Sequence, residues 1–287
     1  MEESNTLGLM PPPWLAYPQI ERYSIGWRMG AGEEYINRFG EWWVTLSAER
    51  KEKYQTLFPE PVTWQGWWRS EDTCTRFQYG EYAIELWQPQ GMPKYSNEWL
   101  RQQTAEGKAR ELCMFWMPEP VNGVDKSCFS QWWLGEFWSV IDTFCCVEQF
   151  MTVQMAKLFG DAEAQKAVME CDDPKWMKPI GHRVKDFDQG IWDMVKYSVV
   201  VNGNWYKFSQ NRELRDYLLS TGDSVLVYAS PYDETWGIML SEEDEEAQDP
   251  ANWQGQNLLG YALMEVRDEL RRVTQNEALC DFGQVEM

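Results

Sequence analysis

Helical spacing of apolar residues recurs along the chain, whereas the stretches with a strand pattern are short. One helix is predicted to begin at Glu33, a second to follow an N-cap at Ser47, and a last to begin at about residue 257. Three more are predicted over about 146–158, 189–200 and 211–220. Strands are predicted over 75–89, over 111–120 as far as Pro118, over 224–230 and in the short run 236–240. Gly222 stands at the left-handed position that ends a helix. The pattern predicts a helix-dominated α+β fold with short strands.

Tryptophan is unusually frequent, with 18 residues, several of them paired at 42–43, 67–68 and 132–133. Aromatic side chains most often pack in a core or between domains, although a ring can also stack on a base. Residues 1–20 are rich in proline, which disfavours helix in the preceding residue and predicts an extended arm. For the tryptophan-rich stretch 14–87 two interpretations stay open: internal packing, or an interface with a protein partner or a second copy of the chain.

The charge balance is strongly acidic, with 46 acidic against 26 basic residues and a formal net charge of −20. Binding to nucleic acid requires clustered lysine and arginine, so a nucleic-acid partner is disfavoured, although a local basic pocket is compatible with this balance. No run of about 18 apolar residues occurs, and the N-terminus lacks a basic segment followed by an apolar one. We therefore expect no membrane span and no secretion signal.

Cysteine and histidine usage limits the chemistry further. The seven cysteines are scattered without C-x-x-C spacing, which favours free thiols in a reducing cytoplasm over a disulfide framework or a zinc site. His182 is the only histidine, so a site with several imidazole ligands is excluded, as is a Ser-His triad built elsewhere. We expect a cytoplasmic protein without a metal and without a cofactor.

The stretch "CCVEQFMTVQMAKLFGD" places a carboxylate on an apolar helix face, where Glu148 shares a stripe with Met151 and Met155. Taken singly, other acids have ordinary explanations: Asp223 follows a helix-ending glycine, and Asp233 lies in a turn. Only convergence on one pocket would make these acids a site. Hydrolysis of an N-glycosidic bond requires little more than a carboxylate, to activate water or stabilise an oxocarbenium ion, and aromatic walls to hold the base.

A series of motifs carries a family resemblance. In chain order they are "KSCFSQWW", "CVEQFM", "LFGD", "GHRVKDFDQGIWD", "YKFSQNRELRDYLLSTGD", "VYASPYDETWGI" and "NLLGYALMEVRDEL". Over about residues 111–273 the chain resembles the NADAR family, the YbiA-like N-glycosidases, with motif order and gaps kept. The resemblance implies a YbiA-like domain over 111–273, a tryptophan-rich N-terminal extension or subdomain over 1–110, and a C-terminal tail over 274–287.

Members of this family are implicated in cleaving the bond between a ribose phosphate and a base, in riboflavin-pathway intermediates or in ADP-ribosylated guanine. Carried over by motif, the resemblance implies that Glu148 is the catalytic carboxylate of the helix that begins near residue 146, with Asp233 and Trp192 also at the reaction centre. It also implies a set of substrate-binding residues. These are Phe129, Gln131, Trp132, Met155, His182, Arg183, Asp223, Tyr228 and Trp236.

Several positions depart from the family pattern. Met155 replaces a usual lysine, His182 a usual arginine with Arg183 adjacent, Tyr228 a usual glutamate, and Met239 a usual glycine. Losing groups that are or can be cationic weakens a phosphate subsite, since a charge-assisted hydrogen bond contributes roughly 1.5–3 kcal/mol. His182 has two interpretations: it binds phosphate or transfers a proton near neutral pH, or it caps a turn. The changes indicate either a site adapted to a substrate with less phosphate or an inactive one.

Two functions therefore stay open. The first is a hydrolase, an N-glycosidase in which Glu148 and Asp233 flank the anomeric carbon of an N-riboside or nucleotide while Trp192 or Trp236 packs on the base or ribose. The second is a catalytically inactive relative that binds a nucleotide, an ADP-ribose-like ligand or a partner protein. We favour the hydrolase because Glu148, Asp223 and the "DETWG" turn are kept.

Both functions make the same geometric prediction. Glu148, Met155, Asp223, Asp233 and Trp236 should line one cavity. If Glu148 points to bulk solvent away from the others, neither interpretation stands.

Overall fold

The computed structural model describes residues 8–87, 93–108, 110–121, 123–139 and 142–285. The chain forms two compact units. The first is built from the segments Met1–Cys74, Trp138–Thr143 and Glu269–Met287, and the second from Thr75–Phe137 and Phe144–Asp268. The domain bounds near residues 110 and 273 come from a family resemblance and not from compactness, and they stay a prediction.

Helices dominate the secondary structure, as the sequence predicts. The helices are α1 (Pro13–Ala16), α2 (Gly30–Thr45), α3 (Ala48–Leu57), α4 (Asn97–Ala105), α5 (Val147–Leu158), α6 (Ala162–Met169), α7 (Pro174–Gly181), α8 (Gln189–Gln210), α9 (Arg212–Ser220) and α10 (Leu258–Thr274). The strands are β1 (Arg76–Tyr79), β2 (Tyr82–Glu85), β3 (Leu112–Phe115), β4 (Phe137–Ser139), β5 (Asp142–Phe144) and β6 (Val225–Tyr228). The helix-dominated α+β class is confirmed.

Aromatic side chains make up most of the buried core of the first unit, and we call them the aromatic cluster. Its buried members are Trp14, Tyr35, Phe39, Tyr54, Phe58 and Trp64, and Trp27, Trp42, Trp43, Trp67 and Trp68 pack against them. Trp43 and Trp68 stack with ring centroids 5.0 Å apart. Burial of rings on this scale supplies a large apolar contribution to stability, so internal packing accounts for these tryptophans.

The N-terminal segment is part of that core, so the predicted extended arm is wrong from residue 9 onward. Met10 and Trp14 are buried, and Trp14 lies on the short helix α1. The hydroxyl of Tyr54 donates to the carbonyl oxygen of Met10 over 2.6 Å. Leu9 forms a parallel bridge with Cys280. Pro12 is the N-cap residue of α1 and Pro13 its first residue, and the Trp14 side chain that follows packs among the rings of the aromatic cluster.

In the second unit, α5 packs against α8 through a close approach at Gly203. A Cβ added at Gly203 would lie 2.9 Å from the Phe150 ring and 3.1 Å from Val147, so only glycine fits there. The helix α8 continues to Gln210, ten residues past its predicted end at 200. Nearly all of its second half is buried, which removes the polar face that would mark a surface helix.

The strands β3 and β6 pair in parallel, with Leu112 opposite Val225 and Phe115 opposite Tyr228. On its other side β6 is bonded by a side chain: the amide of Asn257 donates to the carbonyl oxygen of Leu226 over 3.0 Å and accepts from the N–H of Tyr228 over 2.9 Å. Tyr228 therefore ends a strand that is held on both edges.

Two strand predictions differ from the structure. The stretch 75–89 forms a hairpin of β1 and β2, because Gly80 adopts φ +57° between them, and residues 88–89 lie outside the described residues. The run 236–240 forms no strand, because Met239 adopts a left-handed φ of +63° and the N–H of Ile238 bonds to the carbonyl of Tyr228. Within the described ranges, every helix is too short or too polar to cross a bilayer.

Candidate active site

A cavity of about 350 Å³ lies in the second unit and contains most of the predicted site residues. Its walls come from the segment before α5, from α5 itself, from α7, from α8 and from the turn after β6. The lining residues are Gln131, Trp132, Glu148, Met151, Thr152, Met155, Lys178, Gly181, His182, Phe187, Gln189, Trp192, Lys196, Tyr228, Asp233, Thr235 and Trp236. The cavity has the size of a small-molecule site.

Glu148 is held in the first turn of α5, where its carboxylate faces the cavity and only 4% of the residue is exposed. Its backbone N–H donates to the carbonyl oxygen of Gln131 over 3.0 Å. Its own carbonyl accepts from the hydroxyl of Thr152 over 2.9 Å. The helix is capped by Cys146, whose sulfur accepts from the N–H of Gln149 over 3.4 Å. These contacts fix the position of the Glu148 backbone at the cavity.

Burial sets the protonation of this carboxylate. The pKa of Glu148 is raised to about 7, chiefly by loss of solvent and to a smaller extent by the charge of Asp233. Lys178 and a hydrogen bond from the indole of Trp132 lower the pKa again, but less than burial raises it. Glu148 therefore exchanges its proton near neutral pH.

Asp233 lies across the cavity in a turn that it builds itself. Its Oδ1 accepts from the backbone N–H groups of Thr235 and Trp236 over 3.1 and 2.8 Å. Its other oxygen, Oδ2, lies 3.5 Å from the Nζ of Lys178 on α7. Asp233 is thus both the turn residue that the sequence pattern explains and a carboxylate that faces the cavity.

Aromatic rings form the remaining walls. Trp192, on α8, is 94% buried, since only 6% of it is exposed, while Trp132 and Trp236 are half-buried. Tyr228 lines the cavity from the end of β6, and burial raises the pKa of its phenol, so it stays protonated. The walls present flat apolar surfaces on which a ring can stack.

Most of the predicted site residues converge on this cavity. The converging residues are Glu148, Asp233, Trp192, Gln131, Trp132, Met155, His182, Tyr228 and Trp236. Within the described residues, the buried Oε1 of Gln131 has no hydrogen-bond partner, which leaves an acceptor for a ligand.

Phe129, Arg183 and Asp223 are not among the residues that line the cavity. Phe129 is fully buried and packs against the rings of Phe115 and Phe208. Arg183 is exposed. Asp223 is exposed because it follows Gly222, whose φ of +59° ends α9, and its carbonyl accepts from the Arg110 side chain. The expectation that Asp223 joins the cavity is therefore not met.

Two cations of the cavity were missed by the sequence interpretation. Lys178 pairs with Asp233, and Lys196 pairs with Asp193 on its own helix. Each had a signal in the sequence: Lys178 stands four residues before His182, and Lys196 stands four after Trp192, so each pair shares a helix face. The cavity therefore contains two lysines, although position 155, where the family resemblance predicts a lysine, is a methionine.

Among the described residues, no group of three or more histidine, cysteine or acidic side chains is arranged to hold a metal.

This helix-rich unit buries a carboxyl group whose pKa lies near neutrality between walls of indole rings. Such an arrangement has the features of an acid–base site for a small molecule that contains a ring. The sequence profile described as NADAR domain matches residues 114–271. The chain belongs to the NADAR domain family, and the resemblance seen in its motifs is confirmed.

Several proteins are similar to part of this chain. The chain is 40% identical over 146 residues to the N-glycosidase R617 of Acanthamoeba polyphaga mimivirus, covering 49% of this chain and 86% of that protein. It is 35% identical over 129 residues to the protein irg-1 of Caenorhabditis elegans, covering 44% of this chain and 61% of that protein. The NMR structure of YbiA from E. coli is similar with a TM-score of 0.46 and 24% identity, covering 56% of this chain and 85% of that one.

Proposed function

We propose that this protein is an N-glycosidase that hydrolyses the bond between ribose and a base in a ribosylated base or nucleotide. The observation that carries the proposal is the buried carboxyl group of Glu148, whose pKa is raised to about 7, facing the Asp233–Lys178 pair between indole walls. The name N-glycosidase, which the mimivirus relative bears, supports the same reaction class.

In the reaction, the bond between the anomeric carbon and the base nitrogen breaks and a bond to the oxygen of water forms. Glu148 takes a proton from the attacking water and later releases it to solvent, while the base leaves with the bonding electrons and takes up a proton from solvent. A pKa of about 7 suits this task, because a group that titrates near the working pH can accept a proton and give it back.

Asp233 supplies negative charge where positive charge develops. Breaking the glycosidic bond leaves an oxocarbenium-like sugar, which a fixed carboxylate stabilises without reorganisation. The two backbone N–H groups and Lys178 hold Asp233 in one orientation before substrate arrives. The two acids thus divide the work: Glu148 moves the proton and Asp233 stabilises the charge.

The walls select a flat leaving group. A base stacked on Trp192 or Trp236 would be held beside Glu148, and stacking on an indole contributes about 1–3 kcal/mol per base. The free Oε1 of Gln131 adds an acceptor for an N–H group of that base. These features favour a purine, pyrimidine or related ring over an aliphatic leaving group.

The cations of the cavity favour a substrate that carries phosphate. Lys178 and His182, which lie at α7, line the cavity and are exposed, so they are open to an anionic group. We propose a riboflavin-pathway riboside phosphate or an ADP-ribose derivative as substrate. We also propose a cytoplasmic location, which suits its free cysteines.

One observation favours a second candidate, a catalytically inactive relative that binds a nucleotide or a partner. Met155 lines the cavity where the family usually has a lysine, and a methionine offers neither a nucleophile nor a cation. The two candidates differ in turnover and not in binding.

The test is mass spectrometry of free base and free ribose phosphate after incubation with a panel of N-ribosides: the aminouracil riboside phosphate of the riboflavin pathway, NAD, ADP-ribose and ADP-ribosylated guanosine. Glu148→Gln is the test variant, and Glu243→Gln, which changes an exposed acid, is the matched control. We expect base release by the wild type and the control but not by Glu148→Gln. Thermal stabilisation by one compound without release from any would support the inactive binder.

A further inference from the structure

Lys207 is a cation in an unusual place. It lies on α8 and is 0% exposed. Burying an ammonium group without an anion is costly, and loss of solvent lowers the pKa of Lys207 to about 8. In the described parts of the chain, no carboxylate forms an ion pair with it. The hydrogen bonds of its ammonium group must therefore offset part of this cost.

The Nζ of Lys207 bonds to two backbone carbonyls. It donates to Cys128 over 2.6 Å and to Ser130 over 3.2 Å. The charged or titratable groups that act on it are the thiols of Cys128 and Cys146. Lys207 therefore fastens one short segment of backbone to the middle of the second unit.

That segment leads directly into the cavity wall. The next residue, Gln131, accepts the backbone N–H of Glu148 over 3.0 Å. The one after it, Trp132, donates its indole hydrogen bond to the Glu148 carboxylate and lowers the pKa of that carboxyl group. A chain of hydrogen bonds thus runs from the buried ammonium through the backbone to Glu148.

We propose that Lys207 is a positioning residue for the reaction, which holds the segment of residues 128–132 so that the Trp132 indole stays bonded to the Glu148 carboxylate. The kinetic consequences of this role rest on the proposed function. The effect of Lys207 on the titration of Glu148 does not depend on turnover. Lys207 touches neither substrate nor the reacting atoms.

The direction of the effect follows from the groups around Glu148, which are Lys178, Asp233, Trp132, Tyr228 and the thiol of Cys146. In Lys207→Met the segment relaxes and the indole bond is lost. Because that bond favours the charged carboxylate, its loss raises the pKa of Glu148. The pH–rate limb that belongs to Glu148 moves to higher pH, by about one unit, whether the residue acts as base or as acid.

The experiment is a double-variant cycle of Lys207→Met and Trp132→Phe. The titration of Glu148 is followed by carbon-13 NMR of the carboxyl groups, with Glu148→Gln used to assign its signal, and the pH dependence of kcat/KM is measured beside it. We expect both single variants to shift the Glu148 titration upward and the double variant to shift it no further. A folded Lys207→Met protein with the wild-type titration overturns the proposal, as does an additive shift in the double variant.

Two additions keep the test decisive. If Lys207→Met does not fold, Lys207→Leu, which likewise removes the donor, takes its place in the cycle under the same criteria. If the NMR shift occurs in a protein that cleaves none of the N-ribosides, the positioning role holds and the proposed reaction fails, so the two failures are distinguishable.

Discussion

The aromatic cluster and the cavity both use tryptophan, but in opposite ways. In the cluster the rings contact one another, as when Trp14 packs against Trp64 at 5.5 Å and Trp67 at 5.6 Å between centroids. In the cavity, Trp132 and Trp192 surround a carboxyl group instead. The first arrangement stabilises the fold by burying apolar surface. The second lowers stability, because it buries an ionisable group away from solvent. Tryptophan content alone therefore indicates no function, whereas a buried acid between rings does.

The largest expected effect tests the structural half of this comparison. Phe39 is 98% buried, since only 2% of it is exposed, and its ring contacts six other aromatic rings, among them Trp42 and Trp68. Phe39→Ala should lower the free energy of unfolding by about 3–5 kcal/mol, because it deletes a core ring and leaves a cavity. Urea unfolding monitored by fluorescence measures this. If base release per folded molecule also falls, the cluster has a role beyond packing.

The second prediction concerns turnover. Asp233→Asn should reduce base release roughly 100- to 1000-fold, because it removes the charge that stabilises the oxocarbenium-like sugar. The amide oxygen still accepts the N–H groups of Thr235 and Trp236, so the turn should persist. Since Asp233 raises the pKa of Glu148, the residual activity should titrate below about pH 7. Unchanged kcat/KM would contradict the role assigned to Asp233.

A third prediction measures the cost of the buried acid. The folded state raises the pKa of Glu148 from 4.5 to about 7, so between these values it binds more protons than the unfolded state, and stability falls as pH rises. At pH 8 this costs about 3 kcal/mol. Glu148→Gln should remove this pH dependence and unfold at a higher temperature than the wild type at pH 8. Scanning calorimetry at pH 5 and pH 8 tests it, with Glu243→Gln as the exposed control.

A smaller effect is expected at Lys178. Lys178→Met removes a positive charge that lowers the pKa of Glu148, so the pH–rate limb of Glu148 should move to higher pH. The shift should be roughly half a unit, because nearly half of the Lys178 side chain is exposed and solvent screens its charge. Lys175→Met, three residues earlier on α7 and outside the cavity lining, serves as control. A shift toward lower pH would refute this electrostatic arrangement.

The smallest effect concerns backbone strain at Met239. Met239 adopts φ +63°, a conformation that is unfavourable for methionine and free for glycine. Met239→Gly should therefore raise the free energy of unfolding by up to about 1 kcal/mol, because relief of strain exceeds the added flexibility of the unfolded chain. Thermal unfolding shows the sign directly. A destabilised variant would mean that side-chain packing of Met239 outweighs its backbone strain.

The sequence predicted elements whose ends carry local signals and missed those whose ends do not. Gly222 marks the end of α9, and the Ser47 side chain accepts the N–H of Arg50 as the expected N-cap of α3. The end of α8 was placed ten residues early. Asn202, Gly203 and nearby polar residues are weak helix formers, and only packing against α5 favours helix there. Tertiary contact decided that boundary.

The candidate site shows the same limit. The motif order identified Glu148 and Asp233, since each lies within a short, distinctive stretch. It also included Asp223, because a motif records residue type and not the direction of a side chain, and the turn after Gly222 directs Asp223 outward. The motifs did not include Lys178, because its place in the site follows from the ion pair between its Nζ and Asp233, 3.5 Å apart. Such pairings across separate elements become visible only in three dimensions.

The side chain of Asn257 has a consequence for solubility during folding and storage. A two-stranded parallel sheet leaves outer edges, and an open edge recruits strands from other molecules into aggregates. Asn257 already bonds the carbonyl of Leu226 and the N–H of Tyr228, which are the groups that an incoming strand would need on that side of β6. One asparagine thus occupies the place of a third strand and closes this route to amyloid-like association.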